Sequence, residues 1–233
     1  MKYYIRKKVF EHQLKKSPLP VKLIVGADGD RYPGWLSTEK SFFDITNPDD
    51  WEKYFDFGVR ALEPGAPDYR EEEVGGVKSQ VPYFNPDKKI TVDKDLQVVR
   101  RILAEHVFHF LTEDQAMAAL QLMKKYLTDD GRIRIAVPDQ YHKDQRYIEY
   151  VNDPVHGHKS RWSFQSLTRF IKAAGFKHVQ VKEAFDAGGS FNIATWYRID
   201  GYVKRSFWYD YRNMVPELGN NIFWSSLIID AIK

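Results

Sequence analysis

The chain has no cysteine among its 233 residues, which excludes disulfides, thiolate metal centres and a cysteine nucleophile and fits a reducing compartment. It also lacks any apolar run long enough to span a bilayer, and its first residues show no apolar signal-peptide core. No membrane span is therefore expected, and a soluble, cytoplasmic protein is. Charge of one sign is scarce: 35 Lys and Arg against 32 Asp and Glu leave +3, too little for the concentrated basic face that nucleic acid requires. The one basic cluster, Lys2, Arg6, Lys7, Lys8, Lys15 and Lys16, reads as a solvated arm. No internal repeat or low-complexity tract is present.

Aromatic residues make up 15% of the chain, and most of them are expected in a core that a chain of this length can bury. Residues 1–20 form a leader, with room for a short helix, closed by Ser17-Pro-Leu-Pro20. Residues 21–233 then form a single domain. Its organising stretch is Lys22-Leu-Ile-Val-Gly-Ala-Asp-Gly-Asp-Arg-Tyr-Pro-Gly-Trp35, an apolar strand that enters a glycine-bearing turn, which is either a tight structural turn or a loop that meets a ligand. A three-glycine dinucleotide fingerprint is not completed: Gly26 and Gly29 bracket Asp28, and Pro33 follows soon after.

Further along, Trp35–Glu39 and Ser41–Asp44 read as strands that each end in an acid, and Asn47 caps a short helix with Pro48 in its first turn. The Gly- and Pro-punctuated stretch at about 57–93 is an insertion on the ligand side of the sheet. Val98–Leu111 is a strand that runs into a turn, and Thr112-Glu-Asp-Gln115 has the form of a capping box before apolar residues at helical spacing. Arg132–Asp139 alternates as a strand, its arginines suggesting that the first half lies at the sheet margin. Ser163 caps a second helix that Gly175 ends, and His178–Phe185 and Ser225–Ile232 are two closing strands. Strands alternating with helices predict a mostly parallel sheet covered by helices, with Glu39, Asp44 and Asp139 at one edge.

Five segments resemble the class I S-adenosylmethionine-dependent methyltransferases, within them a branch of small predicted methyltransferases. They are Val25-Gly-Ala-Asp28 with Pro33-Gly-Trp-Leu-Ser-Thr-Glu39, Ile102-Leu-Ala-Glu-His-Val-Phe-His-Phe-Leu-Thr112, Gly131-Arg-Ile-Arg-Ile-Ala-Val-Pro-Asp139, Arg205-Ser-Phe-Trp-Tyr-Asp-Tyr-Arg-Asn213 and Ser226-Leu-Ile-Ile-Asp-Ala231. The resemblance implies a Rossmann-like α/β fold: a seven-stranded, mostly parallel sheet with helices on both faces and an antiparallel last strand. It also implies S-adenosylmethionine across the C-terminal ends of the first strands, with Gly26, Ala27, Asp28 and Gly29 at the methionine part. Glu39 would take the ribose hydroxyls, Asp44 would lie near the adenine, and Ala104 and Glu105 would lie beside the sulfonium. Three departures stand out: Asp28 replaces the family's usual glycine, His109-Phe110 replaces its usual Glu-His, and the insertion at about 57–93 interrupts the match.

Methyl transfer to oxygen needs alignment of donor and acceptor, and a hydroxyl acceptor gains from a general base. His106 is the first candidate for that base, and His109, Asp139, His142 and His158 follow it. His142, His158, Arg205, Asp210 and Arg212 are the candidates for holding a small-molecule or glycan acceptor. The last three read equally well as a salt-bridged turn, and Trp196, Trp208 and Trp224 as packing or as stacking platforms. His156 and His158 with Asp153, or Asp139 with His142, match no strong metal motif, and no metal is expected. The expected function is O-methylation. The alternatives are a methyltransferase-like binding module and a nucleotide-binding oxidoreductase of similar fold.

Overall fold

The computed structural model describes residues 2–56, 69–74, 77–82, 97–206 and 225–233. Four strands run parallel: β1 (Val21–Ile24), β2 (Leu36–Ser37), β5 (Val99–Glu105) and β6 (Leu127–Pro138). With β7 (His178–Phe185), β8 (Phe191–Ile193) and β9 (Ser226–Ile232) they form one seven-stranded sheet in the order β2-β1-β5-β6-β9-β7-β8. The last strand, β9, lies between β6 and β7 and is antiparallel to both. This is the Rossmann-like, mostly parallel sheet with an antiparallel last strand that the resemblance implies. Two further strands, β3 (Tyr69–Val74) and β4 (Val77–Pro82), pair antiparallel as a separate ladder; the rest of 57–93 lies outside the described residues.

Alternation along the central strands gives the sheet two different faces. Ile102 and Ala104 of β5, Ile133, Ile135 and Val137 of β6, and Leu227, Ile229 and Ala231 of β9 point into the main core. Leu103, Ala136 and Ile228 point the other way, against Trp196 and Val203. The main core is closed by helices whose starts are written locally. Thr112 and Gln115 exchange capping bonds at the head of α3 (Glu113–Tyr126), and Ser163 and Ser166 do so for α5 (Phe164–Ala173). Asn47 caps α2 (Pro48–Trp51), which continues as a wider turn to Asp56. Trp51 of α2 stacks on Tyr126 of α3, ring centroids 5.2 Å apart. The fourth helix of this numbering, α4 (Gln145–Asn152), is capped by Asp144. Among the described residues no helix is long and apolar enough to cross a membrane.

Three expectations need correction. The N-terminal segment is the helix α1 (Lys2–Lys16), and it is no solvated arm: Phe10 is buried against Phe42 and Tyr54. Ser41–Asp44 forms turns, with the N–H groups of Phe42 and Phe43 both bonded to the Glu39 carbonyl. Both rings are buried, which a one-sided strand would not allow for adjacent residues. Finally, the arginines of β6 do not mark a margin. Arg134 is fully buried in the middle of the sheet, where its Nε and Nη2 donate to the two oxygens of Asp230 on β9 at 2.7 and 2.8 Å. Arg132 and Arg101 both reach Asp200, in the turn that covers this face.

Candidate functional site

The chain reverses direction of travel across the sheet between β1 and β5: β2 lies on one side of β1 and β5 on the other. In an open α/β sheet, that reversal leaves a crevice at the carboxyl ends of the two strands. A cleft of about 750 Å³ opens there, lined by Val25, Gly26 and Ala27 after β1, by Glu105, His106 and Val107 at the end of β5, and by Pro138 of β6. His109, Phe110, Tyr150, His158 and Arg205 line it from the other side of the sheet edge.

The loop after β1 approaches the cleft as bare backbone. Gly26 has φ +61, and a Cβ there would sit 2.7 Å from Cγ2 of Val107, so only glycine closes this turn without displacing the next loop. Asp28 is left-handed too, at φ 41, and its side chain is 99% exposed. The carboxylate that replaces the expected glycine is thus exposed, 3.7 Å from Arg6, at a residue that itself belongs to the lining of the cleft. Gly29 takes over part of the turn: at φ +91 it donates its N–H to Oε1 of Glu39 at 2.8 Å. The same oxygen accepts from Nη1 of Arg6 at 2.7 Å, which ties α1 to the end of the second strand. No local pattern pointed to Arg6, because a basic residue on a mixed helix reads as solvated.

At the end of β5, Glu105 accepts the N–H groups of Lys204 and Arg205. Burial raises its pKa, against these bonds and the Arg205 charge. His106 follows with φ 54, an uncommon conformation for a side-chain-bearing residue. Its two ring nitrogens are both engaged: Nδ1 lies 2.7 Å from Nη1 of Arg205 and Nε2 lies 2.8 Å from Oγ of Ser226. A guanidinium can only donate, so Nδ1 accepts and the proton resides on Nε2. Burial, then the neighbouring Arg205, His109 and His158, hold the ring well below the ordinary imidazole pKa.

His109 is almost fully buried, with its ring centroid 5.2 Å from His106 and 4.5 Å from His158. Its pKa is pushed down to about 3, by burial first and by His158 and Arg205 after it. Its Nδ1 is buried without a partner among the described residues. His158 is arranged differently: Nδ1 lies 2.9 Å from the Val151 carbonyl, which can only accept, so the proton is on Nδ1 and the lone pair on Nε2.

Not every candidate comes to this edge. Ala104 is fully buried in the main core, because it alternates with Leu103 and Glu105 along β5. Asp44 spends one oxygen on the backbone and hydroxyl of Thr46 in the turn before α2. Asp139 is buried, and its oxygens accept the N–H groups of Tyr141 and Phe185 at 3.0 and 2.7 Å. Burial pushes its pKa up to about 6 despite those bonds. His142 packs on Tyr147 and Phe185 and takes the Asp144 N–H on Nδ1; its pKa falls to about 4, chiefly through burial. Glu39, Asp44, Asp139 and His142 are thus not among the residues lining the cleft. Asp210 and Arg212, with Trp208 and Trp224, lie outside the described residues, and Trp196 is packing, its indole donating to the buried Glu183. Among the described residues no three His, Asp or Glu side chains are grouped to hold a metal ion. Lining residues that sequence reasoning missed include Phe110 and Tyr150, exposed aromatics at the rim, and Lys204, paired with Asp30.

No family model matches the chain, and no curated protein matches it. Solved structures resemble it at low identity. A chain of the complex between the Haloferax volcanii Trm112 methyltransferase activator and a proposed methyltransferase is 12% identical, with 99% of this chain and 90% of that one covered and a TM-score of 0.42. A SAM-dependent methyltransferase from Archaeoglobus fulgidus is 15% identical, covering 60% of this chain and 61% of its own, with a TM-score of 0.37. One from Thermotoga maritima is 16% identical, covering 60% and 57%, with a TM-score of 0.38. The match therefore spans less than two thirds of these last two proteins.

Proposed function

We propose that this Rossmann-like domain binds S-adenosylmethionine in the cleft between β1 and β5 and transfers its methyl group to a hydroxyl of a small molecule or glycan. The observation that carries this reading is the position of the cleft, at the reversal point of the sheet and beside a backbone turn that excludes a Cβ. The turn at Gly26 and Ala27 suits a cofactor whose methionine part must come close to main chain. Its volume of about 750 Å³ lies within the range of cofactor and ligand sites. When bound, the cofactor supplies an electrophilic methyl group on a sulfonium.

The chain's own residues then have three tasks. Gly26 and Ala27, with the turn through Asp28 and Gly29 that follows them, hold the donor. Glu39, its Oε1 fixed by Arg6 and Gly29, does not itself line the cleft but precedes Lys40, which does, and its remaining oxygen is assigned to the ribose hydroxyls. Glu105, His106, His109, His158 and Arg205 form the wall beside the reacting groups, one of the imidazoles there acting as base.

Calorimetry tests the reading directly: S-adenosylmethionine and S-adenosylhomocysteine should bind, and NAD should not. Binding of NAD with no response to either sulfur compound would favour an oxidoreductase instead. Glu39→Ala should weaken S-adenosylhomocysteine binding by about 1–3 kcal/mol through lost hydrogen bonds. Arg6→Ala separates the ribose role from the role of anchoring α1, since an equal loss in both variants would leave Glu39 with the anchoring role alone.

A further inference from the structure

The tautomers of the cleft imidazoles are set by unlike partners, and we infer that His158, through Nε2, is the general base for the acceptor hydroxyl. This rests on the methyltransferase reading above. His106 cannot take a proton without displacing something: Nδ1 is occupied by the Arg205 guanidinium and Nε2 already carries a proton shared with Ser226. Protonation would also place a second positive charge against Arg205. His109 is buried between two other imidazoles with no acceptor facing its Nδ1 among the described residues, so a charge there would stand uncompensated.

His158 has the opposite surroundings. Its Nδ1–H donates to the carbonyl of Val151, 2.9 Å away, in the last turn of α4. Carbonyls in the last turn of a helix lack intrahelical donors and carry its negative partial charge. That carbonyl fixes the ring's orientation, leaves the lone pair on Nε2 and stabilises the imidazolium once formed, the service a carboxylate gives to histidine in hydrolytic triads. The ring lines the cleft and is partly exposed, so Nε2 can both meet an acceptor and return its proton to water. In the step, the hydroxyl proton passes to Nε2 of His158 and the oxygen forms the new bond to the methyl carbon. The carbon–sulfur bond breaks with its electron pair left on sulfur, giving a neutral thioether and an imidazolium.

Long-range proton–nitrogen spectra of histidine-labelled protein test the assignment without any acceptor. His158, identified by its loss in His158→Gln, should show the Nδ1–H tautomer, and its Nε2 should shift on addition of S-adenosylhomocysteine. Turnover is then read as release of S-adenosylhomocysteine with catechol and with methyl glucoside as hydroxyl probes. His158→Gln should slow it at least about 100-fold while the dissociation constant for S-adenosylhomocysteine, which also reports folding, stays within about twofold of wild type. A wild-type protein that binds no S-adenosylhomocysteine overturns the methyltransferase reading. One that binds it but shows His158 protonated on Nε2, or a His158→Gln variant that keeps the wild-type rate, overturns the base assignment alone.

Discussion

Acidification from pH 6.5 to pH 4 should lower the denaturant midpoint steeply. His106, His109 and His142 are all held below the ordinary imidazole pKa by burial, His109 to about 3 and His142 to about 4. The unfolded chain takes up a proton at each near pH 6.5 while the native state does not, so the stability these groups confer is present above that pH and lost as pH falls. Asp139, raised to about 6, and Glu105, raised by burial, work in the other direction. Their protonated forms favour the native state below the ordinary carboxylate pKa, and that contribution disappears as pH rises through their native values. The imidazoles outnumber the acids, so stability should fall with acidification near pH 5, each uncompensated proton contributing a slope of about 1.4 kcal/mol per pH unit. Unfolding curves collected across the range measure it. His142→Phe should flatten the slope by about one proton, and an unchanged slope in that variant would show that the ring is protonated in the native state.

Arg134→Leu should cost about 3–5 kcal/mol, since it leaves the Asp230 carboxylate buried after its forked partner is gone. The loss is moderated by Arg132, 3.6 Å from Asp230, and deepened by the carbonyls of Tyr197 and Gly201, which lose the donors of Arg134 Nη1. Replacing both members, Arg134→Leu with Asp230→Leu, should be much less damaging than the sum of the single changes, because no unpaired charge remains. Denaturant midpoints at constant slope give the comparison. Additive losses would mean that the two side chains stabilise the sheet independently.

The contrast between local and distant partners explains what could be read from sequence. Thr112 with Gln115 and Ser163 with Ser166 cap helices across three residues, so both helices were legible, as were the strands that follow them. The β6 arginines were misplaced at a margin because the partner that makes Arg134 tolerable in the centre lies 96 residues away. His106 looked like a free base at a strand end for the same reason: Arg205 and Ser226 are 99 and 120 residues distant. Asp139 and His142 lie close in sequence to cleft residues, yet a carboxylate that accepts the Phe185 N–H serves the joint between β6 and β7. The Gly26 turn was legible because its requirement is intrinsic to the backbone.

The placing of β9 has a consequence for how the sheet opens. β6 and β7 share no ladder, and residues 178–181 of β7 are paired with β9 alone. Any fluctuation that lifts β9 away from both neighbours therefore leaves β7 and β8 without a ladder to the parallel half of the sheet, joined to it by contacts such as the Phe185 N–H bond to Asp139. In native-state hydrogen exchange, the ladder amides of that part of β7 should be protected no longer than β9 itself. The parallel strands β1, β5 and β6 can hold their protection after β9 has gone, so the half of the sheet that bears the cofactor turn is the half that can outlast the rest.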